Sequence, residues 1–186
     1  WGLITLVTTK LPNYTATFDN VIPQDVCKSL IVAHTEGNQE VWDRNGAPKF
    51  TQVNINESKP DLVSQVLTYV SFTFKLYTQL FPITKYLPEP KALEEFRVKC
   101  YNSESDDRYD THIDVQGADT SKRYLAFLFY LNDDFSGGHT EFGNGPAIVP
   151  ETGRALVFPP YWMYPHAGKR VIKGTKYIMS TYLHLT

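Results

Sequence analysis

Two rhythms of apolar positions run along this chain, one with a spacing near 3.6 before residue 92 and one of short, closely spaced runs after it. In PQDVCKSLIVAH (23–34), Val26, Cys27, Leu30, Ile31 and His34 recur on one helical face, and Pro23 suits a first turn. Residues 60–81 carry a longer stripe of Leu62, Val63, Val66, Leu67, Val70, Phe74, Tyr77 and Phe81, which predicts a second helix packed by one side. Between the two, QEVWDRNGAPKFTQVNINES reads as a mobile loop with a turn at Asn45-Gly46 and a short strand after it, and PITKYLPEPK as a Pro-rich connector. From Leu93 onward the segments EEFRVKCY, YDTHIDV, RYLAFLFYLN, TEF, RALVFPP and KYIMSTYLHL are β-type. They are separated by NSESDD, NDDFSGG, GNGP, PETG and VIKGT, all rich in turn residues. Many short strands point to a sandwich or barrel, so the expected fold is mainly β, a jelly roll with N-terminal helices covering one face.

A length of 186 residues with 42% hydrophobic and 20% charged content suits one domain with its own core, so 1–186 is read as a single unit. Within it, 1–92 supplies helical support and a substrate-loop region, and 93–186 the β core. The net charge of -2, without a Lys/Arg run, argues against nucleic acid as a partner. No apolar run approaches the roughly 18 to 20 residues that span a bilayer, and WGLITLVTTKLP lacks a signal-peptide pattern. The expectation is therefore a monomeric, cytoplasmic protein without a membrane partner, its N-terminus trimmed because no initiator Met is present. Cys27 and Cys100 lie outside any C-x-x-C pair and are expected as buried, reduced thiols.

Chemistry enters with RYDTHID (108–114). On a strand, His112 and Asp114 would project to the same face while Ile113 turned into the core. An H-x-D pair alone is a weak signal and needs a third ligand. His34 falls on a helix face and is expected to be packed or half-exposed there, while His139 in SGGHTEF and His184 near the end of the sequence are weaker candidates. His166 follows the aromatic loop PPYWMYP and opens HAGKRVIKGTK. Two His and one carboxylate with open positions is a donor set that suits non-haem Fe(II), whereas structural zinc would want four closed ligands.

The segments EEFRVKCY, RYDTHIDV, RYLAFLFYLNDDFSGGHTEF and PHAGKRVIKGTKYIMSTYLHL together resemble the Fe(II)/2-oxoglutarate dioxygenases, specifically their prolyl 4-hydroxylase branch, over residues 93–186. The resemblance implies a double-stranded β-helix with helices on its larger sheet. It implies His112, Asp114 and His166 as iron ligands and Lys176 as the partner of the far carboxylate of 2-oxoglutarate. Tyr130 and Ser180 would be hydroxyl donors near that carboxylate, and Tyr101 would line the cosubstrate pocket. Fe(II), 2-oxoglutarate and O2 are the implied cofactors, with ascorbate as a candidate reductant and succinate and CO2 as released products. The carboxylate of Asp114 favours hydroxylation over halogenation.

The same resemblance gives Tyr109, Arg123, Tyr182 and His184 the positions that contact a peptide, so a proline-containing peptide or protein is the implied substrate. Trp162 and Tyr164 would add an aromatic wall suited to a proline ring. Two departures stand out. EVWDRNGAPKFTQV replaces the family's Arg-x-Ser-type closing segment, and Gly137-Gly138-His139-Thr140 replaces its G-G-E-T turn, so the roles of loop 39–56 and of His139 stay open. Two other readings remain: hydroxylation of a free amino acid or small metabolite, and a catalytically silent jelly-roll binding module.

Overall fold

The computed structural model of the chain describes residues 6–45, 47–87, 92–143 and 145–185. Strands β1 (Thr8–Lys10) and β2 (Ala16–Phe18) precede helix α1 (Gln24–Glu36), and β3 (Glu40–Asp43) and β4 (Lys49–Asn54) lead to helices α2 (Ile55–Ser58) and α3 (Pro60–Leu80). Apart from short 3₁₀ turns, the regular structure that follows is β: β5 (Ala92–Leu93), β6 (Arg97–Asn102), β7 (Tyr109–His112), β8 (Arg123–Tyr130), β9 (Ser136–Gly137) and β10 (Thr140–Phe142) come first. β11 (Ala147–Ile148), β12 (Ala155–Phe158), β13 (His166–Gly168), β14 (Val171–Lys173) and β15 (Thr175–His184) complete it. A nine-stranded sheet runs β1-β2-β12-β8-β15-β6-β4-β3, with β5 on β15, and a four-stranded sheet runs β11-β10-β13-β7. This is the expected mainly-β jelly roll.

The apolar run YLAFLFY in β8 has no polar face because both of its faces are covered. Leu125, Phe127 and Phe129 pack with Val26 and Leu30 of α1 and Val66 and Val70 of α3. Ala126 and Tyr130 point the other way, into a second cluster between the sheets with Phe142, Phe158 and Ile178. The functional side chains of β6 and β15 share that inner face, since alternate residues of a strand point to the same side.

Helix α3 starts with Pro60, where a missing N–H costs nothing. Its buried residues are Val66, Val70, Thr73 and Tyr77. Leu67, expected on this face, is 43% exposed. One residue past Val66 is a turn of about 100° around the axis, which carries Leu67 out of the seam. Thr73 takes a core place because its hydroxyl donates to the carbonyl of Tyr69 at 2.7 Å. His34 is packed and buried, with Nε2 3.1 Å from Thr51 Oγ1. Cys27 and Cys100 are free, Cys27 buried and Cys100 half-buried.

The N-terminal half carries more sheet than its pattern predicts. β1 and β2 are three residues each, too short to display a period, yet β2 pairs with β12 and extends the large sheet. The segment read as a loop with one strand is a hairpin with strands on both sides of its turn, Trp42 opposite Phe50. Asn45 takes φ 55° at that turn, and Gly46 lies outside the described residues. β4 then pairs with β6, which makes the hairpin the edge of the nine-stranded sheet rather than a free loop. Within the Pro-rich connector, Pro82–Tyr86 form a 3₁₀ turn, and 88–91 lie outside the described residues. Among the described residues no helix is long and apolar enough to cross a membrane.

Candidate active site

The antiparallel register of β7 and β13 sets His166 directly opposite His112. Asp114 arrives differently from the sequence expectation: β7 ends at His112, and the carboxylate comes from the bend beyond it. Ile113 correspondingly joins neither core cluster and lines the outer cleft instead. His112 Nε2 lies 3.6 Å from Asp114 Oδ1, and His166 Nε2 3.6 Å from Asp114 Oδ2. One ligand atom from each residue falls within 4.8 Å of the others.

The protons of both imidazoles are placed by backbone. His112 Nδ1 is 2.8 Å from the carbonyl of Asp110, and His166 Nδ1 is 3.0 Å from that of Tyr164. A carbonyl only accepts, so each Nδ1 carries the hydrogen and each Nε2 presents a lone pair. Burial, the main influence on His166, pushes its pKa below the ordinary value and keeps the ring in the neutral form that ligates a metal. Tyr182 donates its hydroxyl to Asp114 Oδ1 at 3.0 Å, but Oδ2 is buried with no hydrogen-bond partner. An orphaned carboxylate oxygen between two imidazole lone pairs is costly until a cation fills the gap. The donor set, two nitrogens and one oxygen, fits Fe(II). Ring packing fixes the ligands further: Tyr109 stacks on His112 at 3.5 Å and 8°, and Phe158 meets His166 edge-on at 4.8 Å.

The cavity beside these ligands reaches back to Lys176. Lys176 pairs with Tyr101 across β15 and β6, is 2% exposed, and donates to the carbonyl of Gly138. Its ammonium stands 5.4 Å from the Tyr101 ring and 5.7 Å from that of Tyr130. Burial, unanswered by any carboxylate, pushes its pKa down to about 7. Gly138 takes φ +65° in a place where a Cβ would meet Phe135 at 2.9 Å, so glycine is required to aim that carbonyl. Tyr101, Ser180 and Thr140 line the cavity. Tyr130 is fully buried and gives its hydroxyl to Thr140 Oγ1 at 2.8 Å, one step removed from the cavity. Thr140 was not singled out by sequence; its place two residues after Gly138 was the available signal.

Outside the ligands a wider cleft is bounded by the β3–β4 hairpin, β6 and β15. Glu94 accepts from Arg123 Nε at 2.5 Å and Nη2 at 2.8 Å, and lies 2.7 Å from His184 Nε2. Arg123 also donates to the Asp114 carbonyl at 3.0 Å and lies 4.0 Å over the Tyr182 ring. Tyr109, Arg123 and Tyr182 therefore line the cleft, and His184 sits behind them on Glu94. Glu94 carries no mark in the sequence that separates it from Glu95. Lys99 was also missed, although two residues before Tyr101 on one strand it must share the inner face; it lines both the cavity and the cleft. Trp162 is 74% exposed and lines neither. Tyr164 is buried in the inter-sheet cluster and contributes its carbonyl to His166 rather than a wall. His139 is occupied with Glu141 at 2.7 Å, which Lys169 also pairs at 3.1 Å, away from the cavity.

Comparison with known proteins agrees with this fold. A crystallised viral collagen prolyl hydroxylase from Paramecium bursaria Chlorella virus-1 superposes with a TM-score of 0.74 at 18% identity, over 94% of this chain and 98% of that one. A Pseudomonas putida prolyl-4-hydroxylase gives 0.74 at 16% identity, covering 94% of each chain. A Trichoplax adhaerens prolyl hydroxylase, solved with a fragment of the hypoxia-inducible-factor oxygen degradation domain, gives 0.73 at 17% over 93% of this chain and 84% of that one. At such identities the likeness speaks for the fold. A protein of Acanthamoeba polyphaga mimivirus, provisionally described as a prolyl 4-hydroxylase, is 44% identical over 66 residues, covering 31% of this chain and only 27% of the relative's length. Residues 96–184 match the model of the 2OG-Fe(II) oxygenase superfamily. With His112, Asp114, His166 and Lys176 all inside the match, the β-rich half of this chain belongs to the 2OG-Fe(II) oxygenase superfamily.

Proposed function

We propose that the chain is an Fe(II)- and 2-oxoglutarate-dependent hydroxylase acting on a prolyl residue of a peptide or protein, and that residues 1–186 work as one unit. The observation that carries this reading is the cluster of His112, Asp114 and His166, with both Nε2 atoms freed by backbone carbonyls and Asp114 Oδ2 left bare, beside a cavity ending in a buried lysine. These three residues would hold Fe(II). Held there with 2-oxoglutarate, Fe(II) would activate O2, the oxidant, so that one oxygen atom enters an unactivated C–H bond and the other enters succinate as 2-oxoglutarate loses CO2.

The chain's own residues do the positioning. Lys176 answers the far carboxylate of 2-oxoglutarate, an anion that would otherwise be stranded in a low-dielectric pocket. Thr140 and Ser180 offer hydroxyls from the cavity wall, Tyr130 orients Thr140, and Tyr101 closes the side against water. Tyr109 stiffens His112 and faces the cleft, where Arg123 and Tyr182 meet the substrate backbone, with His184 and Glu94 setting the angle of Arg123. The prolyl substrate is supported by the structural neighbours, which are prolyl hydroxylases, and by the peptide fragment held by the Trichoplax protein.

Anaerobic addition of Fe(II) and 2-oxoglutarate should give a metal-to-ligand charge-transfer band. Admission of air with a panel of proline-containing peptides should then give succinate and a mass gain of one oxygen atom on proline. No band would leave a silent binding module. Oxygen gained only by free amino acids would leave the small-molecule reading.

A further inference from the structure

The hairpin at the cleft's edge supports two cations on aromatic faces instead of on carboxylates. Trp42 and Phe50 stack at 5.9 Å and 6°. Arg44 lies 4.7 Å over Trp42, and the ammonium of Lys99 lies 5.3 Å from the Phe50 ring. Both side chains line the outer cleft, and Lys99 reaches the inner cavity as well. The other charges there already have partners. Arg123 is held by Glu94, Arg97 by Glu95 at 2.6 Å and Glu40 at 3.6 Å, and Asp114 belongs to the metal ligands. Among the described residues neither Lys99 nor Arg44 forms an ion pair.

Charge balance sharpens the point. A divalent ion and Lys176 are answered by Asp114 and the two carboxylates of 2-oxoglutarate. The cleft's remaining cations, Arg44, Arg97, Lys99 and Arg123, face three carboxylates, Glu40, Glu94 and Glu95, so one positive charge is left over at the mouth of a fully loaded site, and Lys99 is the unpaired cation that reaches the cavity. Burial pushes its pKa down to about 8, and at neutral pH it is still mainly protonated. A cation so placed loses hydration with only the charges of Asp114 and Glu94, already engaged elsewhere, to answer it, which is unfavourable unless an anion arrives with the ligand. The Phe50 ring beneath it steadies its position without neutralising it.

We propose that Lys99, backed by Arg44, receives a carboxylate of the substrate, and hence that the site takes an acidic substrate. Resting on the prolyl reading above, this means a peptide with an aspartate or glutamate close to the target proline. A free amino acid would offer the same carboxylate from its own backbone.

The test uses the protein loaded with Fe(II) and 2-oxoglutarate. Fluorescently labelled proline peptides flanked by Glu, Ala or Lys are bound without air, their Kd read by anisotropy, and hydroxylation is then followed in air. The Glu peptide should bind about tenfold tighter than the Ala peptide, the scale of one charge-assisted contact. Lys99→Gln should abolish that difference and Lys99→Arg restore it, with the KM for 2-oxoglutarate unmoved. Arg44→Gln should reduce the preference by a smaller factor. Equal Kd for the Glu and Ala peptides overturns the inference. So does a Lys99→Gln variant whose loss lies in the KM for 2-oxoglutarate, because Lys99 would then belong to the cosubstrate. Should free amino acids be hydroxylated instead of peptides, with the same dependence on Lys99, the prolyl reading fails while the carboxylate assignment stands.

Discussion

Tyr182 donates its hydroxyl to Oδ1 of Asp114 across 3.0 Å, leaving Oδ2 as the oxygen with no hydrogen-bond partner. The phenol sets the rotation of the carboxylate, and with it which oxygen meets His166. Tyr182→Phe keeps the ring under Arg123 but frees Oδ1 to turn. Metal affinity is expected to fall about tenfold, the usual consequence of removing a group that orients a ligand. Calorimetric titration with Mn(II) in place of oxidisable Fe(II) measures it, and an unchanged Kd would show that backbone alone fixes Asp114.

Lys176 gives a prediction in which function and stability move in opposite directions. Its pKa is about 7 in the fold against an ordinary 10.5, so between these values the unfolded chain holds more protons. The parent's stability therefore rises as pH climbs from about 7 to 10.5, and the full penalty for the buried charge applies below 7. Lys176→Met removes that penalty. Its Tm should exceed the parent's most at pH 6, with the gap narrowing toward pH 10, while 2-oxoglutarate binding is lost. In the parent above pH 7, 2-oxoglutarate binding should take up a proton, visible as a dependence of the calorimetric heat on buffer ionisation enthalpy.

Glu94→Gln breaks the two-pronged hold on Arg123 and the contact with His184. With Arg123 loose, substrate KM should rise about tenfold, consistent with losing a half-buried, charge-assisted pair. The consumption of 2-oxoglutarate without substrate should persist. The ratio of succinate to hydroxylated product reads the difference, and Arg123→Ala should shift it the same way.

Gly138→Ala strains a backbone at φ +65° and drives a methyl to within 2.9 Å of Phe135. A loss of about 1 to 3 kcal/mol of stability is expected. The KM for 2-oxoglutarate should rise too, since the displaced carbonyl is the one that steadies Lys176. Denaturant melts and 2-oxoglutarate titrations on the same preparation separate the two effects.

The β half was readable because strands covered on both faces write themselves as unbroken apolar runs, as YLAFLFY does, and because turn residues cannot hide. The helices were readable by period, except where Leu67 and Thr73 exchanged places through a hydroxyl that found a backbone carbonyl. β1 to β3 escaped because three or four residues hold too little pattern, and pairing partners far along the chain supply the missing information. At the site, the meeting of His112, Asp114 and His166 and the place of Lys176 on the cavity beside them were legible from spacing and resemblance. Glu94 and Lys99 were not, since a charged residue on a strand looks solvent-facing until the opposite wall of its cleft is known. Trp162 shows the converse, an aromatic in a loop whose exposure no local pattern encodes.

The pairing of His112 with His166 across β7 and β13 has a mechanical meaning as well as a chemical one. A slip of one residue in a β ladder turns every side chain to the opposite face, so this seam has no partly working state. An ion held between the two strands would rivet the register that built its own binding place, and loss of the ion and unzipping of the small sheet would become one event.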